Sequence, residues 1–424
     1  MSHSSLHQVQ TDTKEKLYLV CVNADDSADA LVEAELEGLV EAAGGEVAGW
    51  ARQRLDKPWK GTYIGSGKVE EVRESAAESQ ADAVVFDCEL SGMQIRNLEE
   101  ALKVRVIDRT QLILDIFAGR ARTREGQLQV ELAQLTYMMP RLMSVYTKFE
   151  RQRGGIGMRG PGETKLESDR RMVRDRISKL KSDIEDVKQH RFQQRAGRKQ
   201  LPYPSLAIVG YTSAGKSTLM NRLCGTDVLV DAMPFATLDP TTRKVDLDDG
   251  FSFFLTDTVG FIRELPTMLV AAFRATLEET LEADLLLHVV DASHDDWEVQ
   301  RDSVLETIEE LGAGGIPTLT LFNKVDLVSD RSLLAQLIAE FPDSVAVSAK
   351  SGEGMDDMLA SVRKLLAGRF VRIKALVPYS HASLAETAHS FGRILVKEYR
   401  EDGIYLEAEL SAEHRGRLQV FEVA

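Results

Sequence analysis

The sequence predicts an α/β protein built from two sheet-and-helix regions, with a long helical hairpin between them and a small α+β domain after them. Three observations carry that prediction. Short apolar segments alternate with helical ones over residues 1–109 and again over 201–369, a pattern that gives mostly parallel sheets covered on both faces. Residues 110–200 show helical apolar spacing interrupted by one glycine-rich run. In the last region, 370–424, two alternating segments flank Glu401-Asp402-Gly403, a hairpin signal.

In the first region LYLVCVN (Leu17 to Asn23) reads as a strand, and Ser27 to Ala43 as a helix stopped by Gly44 and Gly45. GEVAGWARQ, ADAVVFDC and KVRVIDR supply further strands. Tyr63-Ile64-Gly65-Ser66-Gly67-Lys68 opens a helix. It resembles a crude phosphate loop but lacks the full spacing and the Ser or Thr after lysine, so a second nucleotide site and a plain strand-to-helix turn both stand as readings. Thr110 to Met143 is helical on either side of a polar break, Gly119-Arg120-Ala121-Arg122-Thr123-Arg124. After the glycine-rich run Arg153 to Lys165, a second long helix carries Leu166, Val173, Ile177, Leu180, Ile184 and Val187 on one seam. The two are expected to pair antiparallel with the glycine run at the tip. From Pro202 onward SLAIVG, FSFFLTDT, DLLLHVVD, TLTLFNK and SVAVSAK are the strands of the main sheet, with His288 expected in its core.

Length and composition set limits. At 424 residues, with 43% hydrophobic and 28% charged, the chain is an ordinary globular composition spread over several domains. Its net charge of −15 argues in bulk against a basic nucleic-acid or lipid-surface binder. Cys21, Cys88 and Cys224 lie far apart and give neither a disulfide framework nor a zinc site, which fits a reducing cytoplasm. No signal-peptide core opens the sequence and no apolar run reaches ~18 residues, so no membrane segment is expected. The charge is unevenly placed, however. Between Arg141 and Gln200 there are 17 Lys plus Arg against 8 Asp plus Glu, a local net of +9, which leaves −24 for the remainder.

Four ordered motifs point to chemistry. Gly210-Tyr211-Thr212-Ser213-Ala214-Gly215-Lys216-Ser217 lies directly between an apolar strand and a helix, where backbone amides can turn around phosphates and the helix N-terminus favours negative charge. Lys216 is the candidate catalytic contact to the β- and γ-phosphates, and Ser217 the first hydroxyl for Mg²⁺. Asp257-Thr258-Val259-Gly260 closes the next strand, placing Asp257 behind the metal and the Gly260 amide at the γ-phosphate. Between them Phe235-Ala236-Thr237-Leu238-Asp239 leads into Pro240-Thr241-Thr242-Arg243, with Thr237 chosen over Thr241 and Thr242 as the second metal hydroxyl. Asn323-Lys324-Val325-Asp326 selects the base. The Asp326 carboxylate can accept from the N1–H and exocyclic amine of guanine, whereas adenine would leave it unpaired at a cost of about 1–3 kcal/mol. Asn323 would bind the base edge or brace the phosphate loop. Ser348-Ala349-Lys350 would offer an amide to the guanine O6.

On RGGIGMRGPGETKLE, GYTSAGKSTLMN, FATLDPTTR and DTVGFIRELP the chain resembles the HflX family, ribosome-associated GTPases of the Obg–HflX superfamily, over nearly its whole length. That resemblance implies a P-loop GTPase domain over 201–369 and slow GTP hydrolysis that ribosomes accelerate. It implies binding to the large ribosomal subunit and its RNA near the peptidyl-transferase region, and the splitting or rescue of stalled ribosomes under stress. A monomer in the cytoplasm is expected, with room for a membrane-associated fraction. Arg151, Arg153, Arg159 and Lys165 on the glycine-rich loop are the candidate RNA contacts, since glycine lets the backbone approach and arginine pairs with phosphates or stacks on bases. Arg170, Arg171, Arg174 and Arg176 read instead as a solvated helix face with i,i+4 pairs.

Two positions bear on the reaction. Phe261 follows Gly260 where many GTPases carry a water-orienting glutamine, and a phenyl ring cannot hold water. Low intrinsic turnover completed by a partner is therefore expected, with Arg263 a candidate helper or partner contact. Ser213 stands where relatives usually carry an asparagine linked to potassium coordination, and its shorter reach puts potassium stimulation in doubt. The rival reading is a GTP-dependent switch acting on protein partners without RNA.

Overall fold

The computed structural model describes residues 14–22, 29–151, 161–199, 203–225, 233–235, 237–247, 251–263, 280–367, 370–385, 392–411, 416 and 418–423. They divide into two compact units, 1–119 with 130–178, and 120–129 with 179–424.

The first unit is an α/β layer. Strands β1 (Lys16–Val22), β2 (Glu46–Gln53), β3 (Ala83–Phe86) and β4 (Arg105–Asp108) lie in the order β2-β1-β3-β4, all parallel. Helices α1 (Asp29–Ala42), α2 (Ser66–Glu78) and α3 (Gly92–Leu102) make the crossovers. Tyr18, Val20, Val84, Phe86 and Val106 meet Val69 and Val72 of α2 and Leu98 and Leu102 of α3 in one core. Burying such side chains contributes roughly 1.5–3 kcal/mol each, which is why the strands read as nearly unbroken apolar runs. Ser91 and Gln94 form a capping box that starts α3, and Lys103 in the left-handed region ends it. Gly65 enters α2 as a strand-to-helix turn, its amide held by Gln53.

Helices α4 (Arg109–Arg120), α5 (Arg124–Arg151) and α6 (Pro161–Lys199) follow. The fully buried Asp108 joins β4 to two of them. Its carboxylate accepts from the amides of Leu90 (3.1 Å) and Gln111 (2.8 Å), from the Tyr137 hydroxyl (2.7 Å) and from Arg141 (2.9 Å). Four donors on one carboxylate offset the cost of taking its charge out of water. On α6, Arg176 pairs with Glu131 of α5 at 2.7 Å. Arg151 ends α5 and Lys165 lies in the first turns of α6, while Arg153 and Arg159 lie outside the described residues.

The second unit holds a six-stranded sheet, order β10-β9-β8-β5-β7-β6. Its strands are β5 (Ser205–Gly210), β6 (Thr241–Asp246), β7 (Ser252–Asp257), β8 (Leu285–Asp291), β9 (Thr318–Asn323) and β10 (Ser344–Ala346). All neighbours are parallel except β6 on β7. Helices α7 (Lys216–Cys224), α8 (Trp297–Glu310), α9 (Arg331–Glu340) and α10 (Met355–Ala367) belong to the same unit. The sequence showed β6 only as the tail of a loop. TTRKVD buries just one large side chain, Val245, and Thr242 faces Thr256 hydroxyl to hydroxyl at 2.9 Å, so its alternation is hidden in polar residues. Parallel register places Gly210, Asp257, Asp291 and Asn323 along the carboxyl edge, where α/β sheets bind ligands.

The C-terminal sheet has three antiparallel strands, β11 (Phe370–Val377), β12 (Gly392–Arg400) and β13 (Gly403–Ser411), in the order β11-β13-β12. The expected hairpin is β12–β13, with Arg400 opposite Gly403. β11 joins it through Ile373, Ala375 and Val377, all in the core. Among the described residues no helix is long and apolar enough to cross a membrane.

His288 lies in the middle of β8, fully buried, with neither ring nitrogen hydrogen-bonded. Burial, helped by the positive charges of Arg301 and Lys216, holds its pKa at about 3 instead of 6.5. The unfolded chain therefore takes a proton below pH 6.5 that the folded chain refuses, and stability is lost as pH falls through that window. Lowering the pH from 7.5 to 5.5 is expected to cost about 1.4 kcal/mol through this group. His288→Leu should remove that increment in urea titrations at the two pH values, and an unchanged pH dependence would refute the assignment.

Candidate functional site

The site is assembled at the carboxyl edge of the second unit's sheet. The loop from Gly210 to Gly215 wraps between β5 and α7. Gly215 is in the left-handed region (φ 99°), and a Cβ there would run into the Asn323 amide, so only glycine lets the loop pass this close. Ser213 also adopts positive φ (60°). The Lys216 ammonium, 7% exposed, donates to the carbonyls of Gly210 (2.9 Å) and Tyr211 (2.6 Å). Burial pulls its pKa down to about 8, with Asp257 opposing the shift.

Three oxygens converge beside it. Ser217 Oγ stands 3.1 Å from Thr237 Oγ1, and both hydroxyls donate to Asp257 Oδ2, at 3.1 and 2.9 Å. The other carboxylate oxygen, Asp257 Oδ1, is buried without a partner. Desolvation pushes the Asp257 pKa upward against the pull of Lys216. Thr237, and neither Thr241 nor Thr242, faces Ser217, because the latter two belong to β6. Phe235 and Leu238 are buried on either side of Thr237; Ala236 lies outside the described residues. Asp239 directs its carboxylate to Arg122 and Thr123.

The Asp257–Gly260 segment is stitched to the phosphate loop. Thr258 Oγ1 donates to the Ile208 carbonyl at 2.6 Å, and Val259 is buried. Phe261 is 2% exposed; its amide donates to the Gly210 carbonyl (3.1 Å) and its carbonyl accepts from Thr212 (2.7 Å). The Tyr211 hydroxyl accepts from the Arg263 amide at 2.9 Å.

At the base end, Asn323 takes the bracing alternative. Its side-chain amide donates to the Ala214 carbonyl (2.8 Å) and its oxygen accepts from the Ala349 amide (2.9 Å), which links phosphate loop and base loop. Asp326 accepts from the Ser348 hydroxyl at 2.7 Å through one oxygen. Lys324, at φ 63°, pairs with Asp291 at 2.6 Å, and Val325 is buried. Sequence reasoning did not single out Asp291 or Arg222. Arg222 on α7 donates to the carbonyls of Ala349 (3.0 Å) and Lys350 (3.2 Å) and so fixes the Ser348-Ala349-Lys350 turn. The signal for Arg222 was its place one turn and a half after Lys216, but nothing in spacing alone shows which loop it would reach.

An ammonium suited to phosphates, three clustered oxygens suited to a cation, and a carboxylate at the base end have the chemistry that a guanine nucleotide site needs. Comparison with known proteins agrees. Residues 205–324 match a family described as 50S ribosome-binding GTPase, and residues 333–419 match the HflX C-terminal domain. Residues 32–118 and 120–198 match the N-terminal and middle regions of GTP-binding GTPases. A GTPase HflX of Lacrimispora saccharolytica is 45% identical over 403 residues, 95% of either chain. The GTPase HflX of Escherichia coli is 42% identical over 393 residues, 92% of either chain. A crystal structure of an SsGBP and GDP complex is 25% identical with a TM-score of 0.48, covering 83% of this chain and 99% of that one. The chain belongs to the HflX family of GTPases.

Proposed function

We propose that this GTPase binds GTP with Mg²⁺ at the Lys216–Ser217–Thr237–Asp257 site, turns it over slowly alone, and acts on the large ribosomal subunit to split or rescue stalled ribosomes. The observation that carries the catalytic half is the burial of Phe261: its ring is packed away and its backbone is committed to the phosphate loop. The side chain after Gly260 thus offers nothing to orient water, and an outside group is required for fast hydrolysis.

Two hydroxyls and a carboxylate, all hard oxygen donors, with Asp257 Oδ1 left over, fit a small divalent cation. Ser217 and Thr237 would hold Mg²⁺ with Asp257 behind them, and the ion would neutralise charge on the β- and γ-phosphates. Lys216 exchanges its two carbonyl partners for phosphate oxygens, and the Gly260 amide faces the γ-phosphate. Asp326 accepts from guanine while Asn323 keeps base and phosphate loops in register.

The ribosomal half is supported by the family description matched over 205–324 and by the +9 window of Arg141–Gln200 in an otherwise acidic chain. Arg151, Arg153, Arg159 and Lys165 are its proposed RNA contacts. Sedimentation with separated subunits tests it. Co-sedimentation with the large subunit is expected with a non-hydrolysable GTP analogue and less with GDP, weakening steeply with salt. The GTPase rate should rise on adding that subunit. Arg153→Glu with Arg159→Glu should abolish binding and leave nucleotide affinity intact. Binding that survives ribonuclease and high salt would instead favour a protein partner.

A further inference from the structure

The break between α4 and α5 is not a passive turn. Thr123 caps α5: its hydroxyl accepts from the Gly126 amide at 3.0 Å and its carbonyl from the Gln127 amide at 3.0 Å. The Asp239 carboxylate, from the loop that carries Thr237, occupies the same helix end. It accepts from the amides of Arg122 (2.9 Å) and Thr123 (2.8 Å), and the Thr123 hydroxyl donates to its other oxygen. Gly126 makes room, since a Cβ at that position would collide with Asp239 Oδ1. On the other side of Thr237, Met233 lies 3.8 Å through its sulfur from Arg120. The break therefore grips the loop both before and after the residue whose hydroxyl faces Ser217 and Asp257. A carboxylate on a helix N-terminus with three donors is held far more firmly than an exposed loop side chain.

We propose that residues Arg120–Gly126 are a positioning element for GTP hydrolysis: the amino end of α5 holds Asp239, and through it sets Thr237 for Mg²⁺ and the γ-phosphate. Asp239 is then a positioning residue rather than a nucleotide contact, and Thr123 is its partner. This rests on the reading of Thr237 as the second metal hydroxyl. The contact also gives α5 a route by which its own displacement would alter hydrolysis without touching the nucleotide.

The test uses the full-length protein and five variants, with Thr237→Ala as a separate arm. Thr123→Val removes the hydroxyl, Asp239→Asn weakens the acceptor, and Gly126→Ala expels the carboxylate while making α5 a better helix. Each should lower kcat about tenfold and raise the Mg²⁺ concentration for half-maximal rate by about as much. GDP affinity measured in chelator should stay within about twofold, and Thr123→Ser should behave as wild type. The Thr123→Val, Asp239→Asn double variant should be no slower than either single, as expected for one shared contact. Multiplying effects, an unchanged or raised kcat, or GDP affinity falling in step with kcat would each overturn the inference. If Thr237→Ala itself leaves rate and Mg²⁺ dependence unchanged, the metal reading fails instead.

Discussion

Replacing Asp326 by asparagine is expected to weaken GTP and GDP binding by at least about a hundredfold and to make xanthine nucleotides the preferred ligands. The substitution keeps size and shape, so the oxygen facing the Ser348 hydroxyl can stay in place. What changes is the atom that faces the base. A carboxylate oxygen there accepts from the N1–H and the exocyclic amine of guanine, and an NH₂ in its place opposes donor to donor. Losing two such bonds to a charged acceptor costs about 3–6 kcal/mol, and a hundredfold corresponds to about 2.7 kcal/mol. Xanthine carries an oxygen where guanine carries the amine, so it accepts from the new NH₂ and recovers one bond. Displacement of a fluorescent guanine nucleotide by GDP and by xanthosine diphosphate measures the switch. Because Asn323, Arg222 and Ser348 still hold the base loop, hydrolysis of bound xanthosine triphosphate should proceed near the wild-type GTP rate. An unaltered preference for guanine would remove Asp326 from the base site.

Why the nucleotide site was so legible, and the rest less so, follows from how each part is built. Residues of the phosphate loop and of Asn323-Lys324-Val325-Asp326 are positioned by backbone geometry that their immediate neighbours fix, a strand before and a turn or helix after. Local sequence therefore contains almost all the information. The fold class was readable for the same reason, since β1, β3, β5 and β8 are buried on both faces and appear as apolar runs. β6 and β11 were not readable, because strands that expose one face to solvent mix Thr, Arg and Lys into the alternation. Arg222, Asp291 and the Thr123–Asp239 contact join positions 127, 33 and 116 residues apart. Long-range pairs of this kind leave no local spacing to find. The same holds for Asp108, whose donors Tyr137 and Arg141 on α5 lie 29 and 33 residues away. Sequence assigned Asp239 with the nucleotide contacts because the loop around it is motif-like; the fold gives its carboxylate to a helix.

Lys216→Met is expected to reduce GTP affinity by at least about a hundredfold and to bring hydrolysis close to the background rate, while the folded state survives. The lysine is 7% exposed and has a pKa of about 8, below the 10.5 of an open chain, because burial disfavours its charge. A folded value below the unfolded one means that the charged lysine costs stability at neutral pH and that this cost fades as pH rises from 8 toward 10.5. Its removal therefore relieves a penalty and leaves only the Gly210 and Tyr211 carbonyls to be satisfied by water, so the thermal midpoint should change little. The nucleotide tells the opposite story. Phosphates stabilise the charged ammonium, so the bound form keeps a proton that the free form loses above pH 8. GTP binding in the wild type should then take up a proton at pH 8.5 and weaken as pH rises, by at most tenfold per unit. Calorimetry at pH 7 and 8.5, in buffers of different ionisation enthalpy and below the range where guanine loses its own N1 proton, reads that uptake directly. In Lys216→Met the uptake should vanish together with the affinity. Proton uptake that persists in the variant would assign the titration to another group, and affinity that persists would remove Lys216 from the phosphates.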